Sequence, residues 1–116
     1  MAEMTEIMPI FERYQEELGR FLLQIQTVRV LDHSASERLE FDSHELARLL
    51  KNQPSVPKSV LREMRTAMKI LRAEAPYLPN EEDAMHDMAD RLEMTFDLIL
   101  LGEDHGDRTP GVPRIL

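Results

Sequence analysis

Apolar residues in the first quarter of the chain recur with a single period. Ile7, Phe11, Tyr14, Leu18, Phe21, Ile25 and Val28 are spaced 4, 3, 4, 3, 4, 3. This is a heptad seam sustained over three heptads. Ile10 and Leu22 widen it to the stripe of a helix that packs in a bundle. The pattern predicts a long amphipathic helix from about Met8 to Val30. Pro9 would sit in its first turn, where a missing N–H does no harm. A helix of about 22 residues spans roughly 33 Å.

The next stretch, Leu31 to Phe41, is ambiguous. Arg38-Leu39-Glu40-Phe41 alternates like a short strand, while Ser34 with Glu37 and Asp42 with Glu45 both read as capping boxes. A second helix is expected from Asp42 or Ser43 to about Asn52, with Leu46, Leu49 and Leu50 on one face. Pro54 ends it and Pro57 opens a third helix, which runs to about Ala75. Its apolar face is Val60, Leu61, Met64, Ala67, Met68 and Leu71. After Pro76 and Pro79, Asn80 is the expected N-cap of a fourth helix ending at Leu101. Met85, Met88, Leu92, Phe96 and Ile99 form its stripe, and Gly102 is the natural residue past its end. The fold class is therefore all-α, a small four-helix domain over residues 1–102 with a flexible, irregular tail over 103–116.

Composition narrows the function classes. The chain has 116 residues, enough for one domain, and 42% are hydrophobic, enough for a core. It has no cysteine, which excludes disulfides, thiolate catalysis and zinc sites with sulfur ligands. The start of the chain lacks a basic region followed by an apolar one, and the longest apolar run is Leu98 to Leu101. A secretory signal and a membrane span are not expected, and a cytoplasmic location is. Arg outnumbers Lys 11 to 3, a bias of GC-rich bacterial coding. The net charge of -8 repels phosphate backbones and anionic lipid.

Charge is also uneven along the chain. From Pro57 to Ala75 it is net +3, and from Glu81 to Leu101 net -6. The third and fourth helices are thus expected to pair as an antiparallel hairpin of opposite charge. Arg62, Arg65, Lys69 and Arg72 form one basic stripe on the third. Acidic flanks and the absence of interleaved aromatics argue against direct nucleic-acid binding there.

Candidate chemistry is thin. Asp83, His86, Asp87 and Asp90 share one helical face, but a di-iron bundle needs the Glu-x-x-His pattern on two helices and here there is no partner copy. Glu103-Asp104-His105-Gly106-Asp107 lacks the ligand order of a calcium loop. Ser43 beside His44 is better read as a helix cap than as a nucleophile with its base. No phosphate-cradling glycine loop or nucleophile elbow is present. No catalytic residue, cofactor or metal is expected, and the protein is read as a non-enzyme.

The expected function is protein binding. A three-heptad seam needs a partner, which is the other three helices of this chain, a second copy of the first helix or a helix of another protein, and shorter second and third helices would leave part of it uncovered. Ile7, Phe11, Tyr14, Leu18, Phe21, Ile25 and Val28 are therefore the expected partner or homodimer interface, with Glu12, Arg13, Glu16, Glu17 and Arg20 as its charged rim. The protein would be a small bacterial regulator that inhibits a larger protein, such as a transcription activator, by covering a surface it needs. An alternative is an immunity or antitoxin-like protein, meeting a basic toxin through Asp87, Asp90 and Asp97. A metal- or ligand-binding bundle around His86 is a further alternative.

Overall fold

The computed structural model describes residues 4–107. They form four α-helices, with no strand among the described residues: α1 (Met4–Val28), α2 (His33–Leu50), α3 (Lys58–Glu74) and α4 (Glu82–Leu101). Short 3-10 turns occupy Ala75–Tyr77, Pro79–Glu81 and His105–Asp107.

Three helices follow the pattern closely. α1 starts earlier than expected, so Pro9 lies inside it rather than in its first turn. The carbonyl of Thr5 thereby loses its usual donor four residues on. α3 lies within a residue of its expected bounds. α4 ends as a Schellman turn. Gly102 adopts φ +71°, its N–H donates to the Ile99 carbonyl at 3.1 Å, and the Glu103 N–H donates to Leu98 at 2.8 Å. Its start differs, because Asn80 belongs to a 3-10 turn and Glu81 takes the N-cap position without a capping side chain.

α2 is the element that departs most. It begins at His33, not at Asp42, and absorbs the ambiguous stretch. Asp32 caps it, accepting a hydrogen bond from the Ala35 N–H at 3.0 Å. Ser43 is no cap but a buried mid-helix residue, whose hydroxyl donates to the Glu40 carbonyl at 2.8 Å. The apparent strand was an artefact of Phe41, which points outward and is 71% exposed, while Leu39 faces the core.

The helices pack as an up-down-up-down bundle. Arg13–Asp42 and Glu17–Arg38 contacts set α1 antiparallel to α2. Gln15–Glu63 and Arg29–Glu74 contacts set α1 parallel to α3. Ser36–Met88 and Glu40–Arg91 contacts set α2 parallel to α4. α3 and α4 form the second hairpin, joined by Arg72 to Asp90 and Glu93. α1 and α4 each pack on both α2 and α3, so α2 and α3 lie across a diagonal. Residues 51–57 carry the chain across that diagonal at one end of the bundle.

This arrangement overturns the expectation for the seam. Ile7, Phe11, Tyr14, Leu18, Phe21 and Ile25 are all buried in the core of this one chain. Only Val28, at the end of α1, is exposed. The physical reason is the length of α2. Its 18 residues reach about 27 Å, and together with the 17 residues of α3 they cover the stripe that a shorter α2 would have left open. The interface assigned to the α1 seam is internal, and the homodimer inferred from it loses its basis.

The domain also continues past Gly102. Lys51 pairs with Asp107 at 2.6 Å and lies 3.9 Å from Asp104, holding the 3-10 turn against the end of α2. The His105 ring stacks on His44 with centroids 3.6 Å apart and lies 2.9 Å from the Thr95 hydroxyl. The remainder of the expected tail, 108–116, lies outside the described residues.

Candidate interaction surface

With the α1 seam buried, a surface for a partner must be found elsewhere. The rim residues are mostly engaged between helices or along α1. Arg13 lies 3.6 Å from Asp42, Glu17 accepts from Arg38 at 2.8 Å, and Glu16 accepts from Arg20 at 2.9 Å. Glu12 is exposed. These groups brace α1 against α2 rather than surround an apolar patch.

Tyr14 shows how completely the seam is withdrawn from water. Burial, and then the nearby carboxylates of Asp42 and Glu63, push its hydroxyl above the ordinary tyrosine range. Asp42 is raised from its ordinary value by burial, an effect that the Arg13 guanidinium opposes.

The chemistry candidates do not converge. Ser43 is bound to Glu40 while His44 stacks on His105, so the two do not form a nucleophile and base. Among the described residues, no three His, Asp or Glu side chains are grouped as cation ligands, and Asp83, His86, Asp87 and Asp90 do not form such a group. No described helix is long and apolar enough to cross a membrane. Four of the five methionines concentrated on α3 and α4 (Met64, Met68, Met85, Met88) are core filler, and Met94 is exposed.

The outward face of the α3–α4 hairpin is different. The inward residues of α3, Val60, Met64, Ala67, Met68 and Leu71, are buried. That orientation turns Lys58, Arg62, Arg65 and Lys69 to solvent along a line with spacing 4, 3, 4. Arg72, at the edge nearer α4, bridges to Asp90 at 3.1 Å and Glu93 at 3.0 Å. The hydrogen bond it donates to Asp90, then that to Glu93, holds its guanidinium protonated beyond its ordinary value. The opposite charges expected for this hairpin thus meet at one point.

Between the two helices runs an open groove of about 420 Å³. Arg65, Met68, Lys69 and Arg72 line one wall, and Glu93, Phe96 and Asp97 the other. Of the expected acidic face, Asp90 is committed to Arg72, Asp97 lines this groove, and Asp87 is exposed on the far side of α4, beside His33 and Glu37 of α2. The structure therefore does not gather Asp87, Asp90 and Asp97 into one patch.

Pairing sets the α3 line apart. Among the described residues, every other Arg and Lys has a carboxylate within 4.0 Å. Lys58, Arg62, Arg65 and Lys69 have none. Sequence reading found the stripe but assigned it to pairing with α4. Only the three-dimensional arrangement shows that Arg72 alone makes that pairing. The exposed Phe41 was also missed, because the strand-like alternation around it hid the helix.

No family model matches this chain, and no curated protein or solved structure matches it either.

Proposed function

We propose that this protein is a non-enzymatic interaction module. In this reading it is a small cytoplasmic regulator that inhibits a larger protein, such as a transcription activator, by covering a surface that the target needs. The contact surface is the outward face of the α3–α4 hairpin and not the α1 seam. The observation that carries this reading is the line of four cations left without carboxylate partners among the described residues, in a protein where acids outnumber bases 22 to 14. Carboxylates are abundant, yet these four remain available to a second molecule. Exposed ion pairs contribute about 0–1 kcal/mol each, so they set orientation and choice of partner. The half-buried Phe96 in the adjoining groove supplies apolar contact.

Affinity capture from native-host lysate, with wild type beside R62E/R65E/K69E, tests the reading. One stoichiometric partner retained by wild type and lost by the variant is expected. Equal recovery by both, with both folded by circular dichroism, would refute it.

A second reading rests on α4. Asp83 and Asp87, one turn apart on α4, are exposed and have no ion-pair partner among the described residues, whereas Asp97 faces the groove beside α3. Asp83 and Asp87 suit the immunity-like alternative, in which a basic toxin docks on α4. That reading predicts a basic partner released by high salt and lost in D83K/D87K.

A further inference from the structure

The unpaired cations define a shape as well as a charge. Lys58, Arg62, Arg65 and Lys69 follow the 4, 3, 4 rhythm of one helical face, so they lie in a nearly straight row. Eleven residues at 1.5 Å per residue make the row about 16 Å long. It is narrow, because carboxylates stand on both sides. Asp90, Glu93 and Asp97 lie toward α4, and Glu63 and Glu74 lie toward α1, held there by Gln15 and Arg29.

A partner must place negative charge over the row without placing it over those flanks. A nucleic-acid duplex carries phosphates on both sides of a groove about 12 Å wide, so one backbone over the row sends the other across a flank. A single helix with carboxylates on one face does not meet this problem. Its charges repeat at the spacing of the row, and an adjacent apolar side chain reaches the half-buried Phe96.

We propose that the row Lys58–Arg62–Arg65–Lys69 receives one acidic amphipathic helix of a partner protein, with carboxylates at i, i+4, i+7 and i+11, laid along α3. This names the partner chemistry for the hairpin surface and rests on the reading of that surface as the docking face.

The probe is a synthetic 18-residue peptide with Glu at those four positions and Leu beside them, compared with a scramble of the same composition. Binding to the full chain is read by fluorescence anisotropy at low and high salt. The patterned peptide is expected to bind at least about tenfold more tightly than the scramble, and R62E/R65E is expected to lose that margin. The control R20E/R48E changes the net charge equally and should keep it. A peptide with Lys at the four positions should bind R62E/R65E/K69E more tightly than its own scramble does, a pattern-dependent rescue that an unfolded polyanionic chain cannot give. Equal binding of patterned and scrambled peptides, or tighter binding of a 20-base-pair DNA duplex, would overturn the proposal. If the peptide fails while the captured lysate partner is still lost on reversal, the helix is refuted and the docking face stands. If the peptide behaves as expected while lysate capture is unaffected by reversal, the row is a helix receptor and the regulatory reading falls.

Discussion

Leu18 and Leu23 belong to the same helix and carry the same side chain, yet they sit in opposite environments. Leu18 is 1% exposed and packs at the centre of the α1 stripe, whereas Leu23 is 58% exposed. Replacing Leu18 with Ala removes buried methyls and leaves a cavity, a change that costs about 2–5 kcal/mol in well-packed cores. Domains of this size are stable by about 5–15 kcal/mol, so L18A takes a third or more of the total in a typical case. At roughly 4–8 °C per kcal/mol the melting temperature falls by about 8–40 °C. L23A should stay within about 0.5 kcal/mol of wild type. Urea unfolding followed at 222 nm measures both, with equal m-values showing that both lose the same folded state. If L18A proved as stable as L23A, the stripe would not be a core, and its assignment to the interior of one chain would be wrong.

Other positions give independent checks. In a Y77F background Tyr14 is the sole tyrosine, and its raised hydroxyl should ionise only as the protein unfolds. Stability is then full below the ordinary tyrosine value of 10.0 and is lost as pH rises above it, so the absorbance step at 295 nm should coincide with loss of helix. Asp42 is raised from 3.8 despite Arg13, so its neutral form suits the fold better and stability falls as pH climbs through that shifted range. D42N should therefore be neutral or more stable by up to about 1 kcal/mol in thermal melts at neutral pH, and a loss of stability would contradict this. G102A forces a Cβ into left-handed backbone, while its nearest neighbour, the Lys51 carbonyl, stays at an ordinary 3.5 Å. A cost of about 1 kcal/mol in chemical unfolding is expected from conformation alone. D32A removes the cap of α2 and should cost a similar amount, about 0.5–2 kcal/mol.

Local pattern carried much of the fold. α1, α3 and α4 were legible because their inward positions are nearly all apolar and recur every three or four residues. α2 was not, because Asp42 and Ser43 occupy inward positions and Phe41 an outward one, which breaks the period. That one misreading propagated. An α2 begun at Asp42 is too short to cover α1, so a core stripe looked like an interface. The basic stripe was visible as spacing, but whether each cation has a partner depends on how two helices are rotated against each other. Nor could spacing show that α2 and α3 lie on a diagonal.

That diagonal has a consequence for how the two halves of the chain hold together. Residues 29–32 join α1 to α2 and two 3-10 turns over 75–81 join α3 to α4, each between neighbouring helices, while residues 51–57 cross the end of the bundle between helices on a diagonal. The halves are united by α1 on α3 and α2 on α4, and not by the connecting segment. Straightened, seven residues reach about 23–25 Å, far enough for the second hairpin of one molecule to settle into the first hairpin of another. Two fragments divided between Gln53 and Pro54 are therefore expected to reassemble through α1 on α3 and α2 on α4. Pro54 and Pro57 restrict the backbone of that crossing segment in the intact chain.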